Sequence, residues 1–387
     1  MRGRPTNLIP WKSVFVPLVV AGSALTLATA SSEGGSPAQA KFTVKSSLDG
    51  KSALPHRTAW VAFPSVGRNK VARVGVIGVA AAAGAVAPLA QATVPGKNGQ
   101  LVYRRFKSLL VVNPDGTGDG ERKLTRPPRG WTDDQPDWSP DGSRVVFQRC
   151  TDDCQVWTVA SNGTGARRLG PAGDDRAEPA WAPGGQKIAY TRRWGGRQQD
   201  QFERAEIYVM NTTGGAARQI TEMTAANPSS ADVASPAWSP DGRQLVFAVR
   251  NSPRAEPANG RALFVINADG SGQRQLTPWT LKAGGGRLDW SPDGKLILFR
   301  IAGAKMHHGN IYTIHPNGSG LKQLTRYPAL KSVELGSFSP DGKWITFSRF
   351  SGSSPYSTLF AMRTNGAGVR RLTNKDANYS PDWGRAR

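Results

Sequence analysis

Trp138-Ser139-Pro140-Asp141-Gly142 recurs along the chain as Trp181-Ala182-Pro183-Gly184-Gly185, Trp238-Ser239-Pro240-Asp241-Gly242, Trp290-Ser291-Pro292-Asp293-Gly294 and Phe338-Ser339-Pro340-Asp341-Gly342. A shorter relative, Ser380-Pro381-Asp382-Trp383-Gly384, stands near the C-terminal end. The full copies lie 43 to 57 residues apart. Self-similarity at that spacing marks a repeat architecture, which decides the fold before any other feature is weighed.

Working outward from this phrase gives each repeat its strands. Pro presets φ for the second position of a turn, and Asp and Gly suit the positions after it, so Ser-Pro-Asp-Gly predicts a tight hairpin turn. The aromatic before it closes a strand A. A β-rich run after it opens a strand B, as in Arg144-Val145-Val146-Phe147 or Lys343-Trp344-Ile345-Thr346-Phe347. Further on, each unit repeats a short apolar strand C, a Gly turn and a basic strand D. Leu263-Phe264-Val265-Ile266, Gly270 and Gln275-Leu276-Thr277 are one such set. The aromatic at a fixed place in every unit reads as packing between units, where burying the ring stabilises by roughly 2–3 kcal/mol.

The C–D half occurs six times and the complete A–B half five times. Gly99-Gln100-Leu101-Val102-Tyr103 is a strand B without a strand A before it, and Pro381-Asp382-Trp383 is a strand A without a strand B after it. Joining the two completes a sixth four-stranded unit and removes the exposed sheet edges of an open array. The expected fold is all-β: a six-bladed β-propeller of four-stranded blades over residues 97–387, closed by the C-terminal strand joining the first blade.

The Trp-Ser-Pro-Asp-Gly phrase, with Asn-x-Asp-Gly-x-Gly and Leu-Thr downstream, resembles the PD40 (WD40-like) repeats of TolB-type propellers. TolB proteins also carry an N-terminal α/β domain, and residues 1–96 show no strand–helix alternation to supply one. The resemblance therefore implies a relative in the propeller alone. It further implies a periplasmic protein with an envelope lipoprotein as partner.

Residues 1–96 hold 10 of the 50 Lys/Arg and 2 of the 28 Asp/Glu, so of the formal +22 the remainder carries +14. A basic propeller suits anionic partners, although charge runs are commonly just solvated surface. Two apolar stretches, Val14–Ala30 and Val74–Ala92, each follow basic residues and have the form of a secretory leader. The second ends Ala90-Gln91-Ala92, directly before the first blade. Residues 66–92 thus read as a signal-like segment, and 1–65 as disordered or an over-extended start. The mature protein is expected to be periplasmic or extracellular, with no stable membrane span. The two cysteines, Cys150 and Cys154, flank a short loop between strands B and C. Export favours a disulfide between them over free thiols.

Asn113-Pro114-Asp115-Gly116-Thr117-Gly118-Asp119-Gly120-Glu121 has the spacing of a calcium loop, but it also falls where every other unit has its C–D turn. No Gly-x-Ser-x-Gly elbow occurs, and neither cofactor nor metal is expected. Strand alternation puts the stereotyped A–B and C–D turns on one face and the variable B–C and D–A loops (192–205, 222–235, 250–261, 278–287, 301–309, 326–336) on the other. Functional residues concentrate on variable loops carried by a rigid scaffold. The candidate partner-binding residues there are Arg193, Trp194, Arg197, Arg254, Trp279, Lys282, Lys305, His307, Arg326 and Tyr327, basic groups interleaved with aromatics. The leading functional reading is an exported non-enzymatic binding protein for another protein or an anionic envelope polymer. The alternative is a propeller lyase or hydrolase acting on a carbohydrate or small substrate in the channel, with carboxylates such as Asp200, Glu203, Glu206, Glu222, Asp232 and Glu256 available. Nucleic acid fits the charge but not export, and no motif for it is present.

Overall fold

The computed structural model describes residue 93 and residues 95–387, except 119, 199–200, 224–231, 252–259, 303–308, 329–332, 351–355 and 375–376. Before residue 93 it describes the backbone of four strands, Phe15–Val19, Leu25–Ser31, Gln39–Lys45 and Arg57–Ala62, paired in chain order as one antiparallel sheet. All four fall within residues 1–65, expected from sequence to be disordered or an over-extended start. The signal-like segment 66–92 lies outside the described residues. Met1–Ala83 and Gly84–Arg387 are separate compact units.

The second unit is the six-bladed propeller, each blade an antiparallel sheet in the order A-B-C-D. Blade I takes strand A from the C-terminal Asn378–Arg385 and strands B to D from Asn98–Arg105, Ser108–Val112 and Arg122–Lys123. The closing pair runs in the register Asn378↔Arg105, Asp382↔Val102 and Trp383↔Leu101. Blade II comprises Thr132–Trp138, Arg144–Cys150, Cys154–Ala160 and Arg167–Arg168. Strands A to C of blade III are Asp175–Trp181, Lys187–Gln198 and Gln201–Asn211; of blade IV, Asp232–Trp238, Gln244–Arg250 and Arg261–Asn267. Those of blade V are Asp289–Trp290, Ile297–Ala302 and Gly309–Ile314, and of blade VI, Val333–Phe338, Trp344–Phe350 and Ser357–Arg363.

The repeated phrase forms its turn through side chains as well as backbone. In blade II, Gly142 N–H donates to the Ser139 carbonyl at 2.8 Å, and Gly142 has φ +66°. Ser139 Oγ donates to Asp141 Oδ1 at 2.6 Å and accepts from Arg144 N–H at 2.9 Å. Asp141 also takes the Ser143 N–H at 2.9 Å. Blades IV, V and VI repeat this with Ser239/Asp241, Ser291/Asp293 and Ser339/Asp341. Blade III, with Ala182 and Gly184 in those places, keeps the backbone bonds alone. The downstream Leu-Thr has a similar purpose: Thr125, Thr221, Thr277 and Thr325 accept a strand C N–H, from Leu109, Ile207, Leu263 and Ile311 in turn, through Oγ1 at 2.9–3.0 Å.

The aromatic closing strand A packs between blades as expected. Trp238 lies with Ala189, Ile207 and Val209 of blade III and Leu245 and Phe247 of its own. Trp383 takes the sixth such place, packed with Leu101 and Tyr103. The Ser380-Pro381-Asp382 before it is therefore not a turn, because it corresponds to Gln135-Pro136-Asp137 of blade II. Both segments lie in strand A at a bulge whose first residue is left-handed, with φ 47° at Ser380 and 49° at Gln135. Gly384 lies flat on the Trp138 indole, where an added Cβ would meet the ring at 2.8 Å.

Candidate functional site

Strand A lines the ring axis, and in four of the six blades the side chain before its aromatic ties the blade to the next. Asp382 Oδ2 accepts the Trp138 N–H at 2.8 Å, Asp137 Oδ2 the Trp181 N–H at 2.6 Å, and Asp289 Oδ2 the Phe338 N–H at 2.7 Å. Ser337 Oγ accepts the Trp383 N–H at 2.8 Å. Ala180 and Ala237 hold this place in blades III and IV.

Across this girdle reaches Arg287 of blade V. Its guanidinium pairs with Asp137 of blade II, donates to the Pro136 carbonyl, and lies 2.9 Å from Asp382 Oδ1 of blade I. Burial alone would lower the Arg287 pKa, but Asp382, Asp137 and Asp289 together raise it. Asp137 is pushed up to about 7 by burial and the neighbouring Asp382, against the lowering influence of Arg287 and the Trp181 N–H. Burial likewise moves Asp289 to about 7. Two carboxylates thus pair with one guanidinium in the channel, and the third, Asp289, feels its charge without pairing to it.

The channel mouth on the B–C and D–A side carries a second set of charges. Where strand A begins, an Asp faces an Arg near the end of strand B in three blades: Asp133↔Arg149, Asp175↔Arg193 and Asp232↔Arg250. In blade II they form a buried fork at 2.6 and 2.9 Å, with Arg149 over the Trp157 ring at 4.5 Å. Glu178 accepts Ser235 N–H at 2.7 Å and pairs with Arg193 at 3.1 Å. Burial pushes Glu334 up to about 7, with Asp134 adding to the rise and Arg104 and Arg300 opposing it.

Among the described residues, the seam between blades VI and I is where large apolar side chains reach solvent on this face. Phe106, in the B–C turn of blade I, is 62% exposed, and Tyr356, before strand C of blade VI, is 48% exposed. Their rings meet edge-on at 6.2 Å. Behind them Phe350 packs on Tyr379 at 5.8 Å, and the Arg104 guanidinium lies 4.2 Å over the Tyr379 ring.

The sequence-expected binding residues do not gather at one point. Arg193 is a channel-mouth residue paired with Glu178. Trp194 packs on Tyr208 at 5.7 Å, with Arg192 over its ring at 4.8 Å. Segment 192–205, expected as a loop, instead continues strands B and C as a hairpin paired out to Gln198↔Gln201. Arg197 lies in that hairpin opposite Phe202. Trp279 begins a short 3-10 turn and packs on Phe264 at 5.6 Å, followed by exposed Lys282. Arg326 is exposed, while Tyr327 bonds to Asn310 and lies beneath Arg349. Arg254, Lys305 and His307 fall outside the described residues. Of the carboxylates, Glu206 is buried and accepts from Thr221 Oγ1 at 2.5 Å and from Met223 N–H. Asp232 is raised by burial, and Asp200 and Glu256 lie outside the described residues. In the calcium-like loop Asp115 caps Thr117, and Glu121 is gripped by the two terminal guanidinium nitrogens of Arg105 at 2.6 Å. Cys150 and Cys154, paired across strands B and C, form the expected disulfide.

Sequence reasoning missed the Arg287 cluster and the Phe106–Tyr356 pair. Aligning the residue before each aromatic (Asp137, Ala180, Ala237, Asp289, Ser337, Asp382) was the available signal for the first. The second needed the ring closure in three dimensions.

Six four-stranded blades, a strand A girdle and closure through the C-terminal strand define a β-propeller of the PD40 repeat class. Residues 107–277 match the family described as PD40, TolB beta propeller domain. Over those residues, a little under half of the chain, the propeller is similar to that family. The structure of TolB from Acinetobacter baumannii superposes with a TM-score of 0.58 at 16% identity, covering 90% of this chain and 79% of that one. Among curated proteins, the "Tol-Pal system protein TolB" of Rhizorhabdus wittichii is 36% identical over 76 residues, 19% of this chain and 16% of that protein. The "Uncharacterized peptidase YuxL" of Bacillus subtilis is 27% identical over 156 residues, 34% of this chain and 24% of that protein. The matches therefore span a quarter or less of these curated relatives.

Proposed function

We propose that this chain is an exported, non-enzymatic binding protein that receives another protein, or an anionic envelope polymer, on the face bearing the B–C and D–A loops. The observation that carries this reading is the exposed Phe106–Tyr356 pair beside Arg104 and Tyr379 on that face. Exposed aromatics flanked by arginine are the side chains that dominate binding energy at protein interfaces. The charged groups of the channel support the reading from the other side, since they are engaged in holding blades together. The likeness to TolB supports a Tol-Pal-like role, with an envelope lipoprotein as partner.

The test compares two variants for binding to solubilised envelope material at two salt concentrations. Phe106→Ala with Tyr356→Ala should weaken binding about tenfold or more, since truncating an interface hot spot costs on the order of 1–2 kcal/mol or more. Arg243→Glu with Lys295→Glu, on exposed residues beside the A–B turns, should leave it nearly unchanged. Equal losses from the two faces would mean that net charge alone drives association.

A second reading, acid–base catalysis in the channel, draws on the carboxylates raised toward 7 (Asp137, Asp289 and Glu334). Turnover of an oligosaccharide or peptide by the wild type that Glu334→Gln abolishes would establish it in place of the first.

A further inference from the structure

Thr93 lies just ahead of blade I and is buried in the channel, although it belongs to no blade. Its Oγ1 donates to both carboxylate oxygens of Asp289, at 3.0 and 3.2 Å. Three residues downstream, Gly96 N–H donates to the Pro340 carbonyl at 3.0 Å and fixes the entry of the segment. Among the described residues Asp289 has no ion-pair partner, because Arg287 turns instead to Asp137 and Asp382. The channel thus holds three carboxylates against one guanidinium, and a buried cluster with excess negative charge is costly unless protons or a second cation offset it.

The sequence supplies a source for that cation. Ala90-Gln91-Ala92 is a small-residue pattern at the end of an apolar stretch that follows Arg68, Lys70 and Arg73. Hydrolysis of the next peptide bond adds water across it, leaving a carboxylate on Ala92 and an α-amine on Thr93, which takes up a proton. That nitrogen is only three covalent bonds from the Thr93 hydroxyl already in contact with Asp289.

We propose that Thr93 is the amino terminus of the processed protein and that its α-ammonium is captured by Asp289 in the propeller channel. The proteolytic site is the Ala92–Thr93 bond, the agent is a leader peptidase of the export machinery, and the product terminus completes the charge cluster between blades V and VI. The maturation half rests on the export reading above, whereas the capture half rests on the geometry of Thr93 and Asp289.

Two experiments separate the halves. The full chain is secreted from a bacterial host and its amino terminus sequenced: a start at Thr93 is expected, and any other start overturns the processing site. In a second preparation a specific protease sequence replaces residues 87–92 of the full chain and is cut to leave Thr93 first, so capture is tested without export. The α-amine of the folded product should react with an acylating reagent at neutral pH at least about tenfold more slowly than in the denatured protein, corresponding to about one unit of pKa elevation or more. Asp289→Asn should restore the reactivity. If that variant does not fold, a single Gly placed before Thr93 moves the ammonium away from Asp289 and should lower the melting temperature by several degrees. An α-amine as reactive folded as unfolded, or a Gly-extended protein that melts unchanged, overturns the capture.

Discussion

Replacing Arg287 by Ala should destabilise the propeller strongly and in a pH-dependent way. Among the described residues, the guanidinium is the one cation paired with both Asp137 of blade II and Asp382 of blade I, which it links from blade V. Removing one partner of a buried ion pair costs about 3–5 kcal/mol, because the remaining charge has lost its compensation. The three side chains keep 13%, 16% and 7% of their exposure, so water tempers the loss and the lower bound, about 3 kcal/mol, applies. For a domain of this size that amounts to roughly 6–12 °C in Tm. The sign of the pH dependence follows from Asp137, whose folded pKa is already about 7, well above its unfolded value. A carboxylate raised on folding binds its proton more tightly in the native state, so its unfavourable contribution grows as pH rises toward 7. Without Arg287, whose charge lowers both Asp137 and Asp289, the carboxylates take up protons far more readily at pH 5 than at pH 8. Urea unfolding at the two values should therefore show a large deficit relative to wild type at pH 8 and a small one at pH 5. A deficit equal at both pH values, or none, would refute the view that Arg287 acts by neutralising the girdle carboxylates.

Wild-type protein should gain stability as pH falls from 8 toward 5.5, since Asp289 and Glu334 are likewise raised to about 7; Glu334→Gln should reduce that gain, measured by thermal unfolding across the range. Deleting residues 378–387 removes strand A of blade I and should abolish cooperative melting or cause aggregation, read by calorimetry and light scattering. Arg218→Ala, which removes two bonds at 2.9 Å to the Ala268 and Asp269 carbonyls of the next blade, should cost about 1–2 kcal/mol in denaturant unfolding while leaving partner binding intact. Freshly purified exported protein should show no alkylatable thiol by intact mass, because Cys150 and Cys154 are joined.

What the sequence revealed depended on how local the cause was. Ser-Pro-Asp-Gly encodes its turn within four residues, and the structure returns the Ser–Asp–backbone bonds the chemistry requires. Ring closure is long-range, yet two unmatched half-units made it legible, and Trp383↔Leu101 is the register they demand. The channel cluster was hidden for a different reason. Arg287 lies 150 residues from Asp137 and 95 from Asp382, and nothing around it in the chain distinguishes it from dozens of other arginines. The loop at 192–205 was misread because long polar, Arg-rich segments normally signal irregular chain. Here Trp194, Arg192, Arg204 and Tyr208 stack across the hairpin and carry the ladder outward.

The basic character of the propeller also takes on a different meaning. The first residue of strand D is an arginine in five of six blades, and each reaches the C–D turn of the next. Arg122 donates to the Ser161 carbonyl, Arg167 to Thr212, Arg218 to Ala268 and Asp269, Arg274 to Pro316, and Arg370 to Pro114 and Asp115 across the closing seam. Blade V has Lys322 there, without the planar fork that spans two carbonyls. Turn carbonyls at a ring's rim face outward and lack ladder partners, and a guanidinium satisfies them while linking neighbouring sheets. A good part of the positive charge is therefore architectural and fixed on the turn face and in the channel mouth. Charge alone is then a poor guide to where a partner sits. The opposite face is distinguished by its exposed aromatic pair at the VI–I seam, so apolar contact, with arginine alongside, should set its affinity.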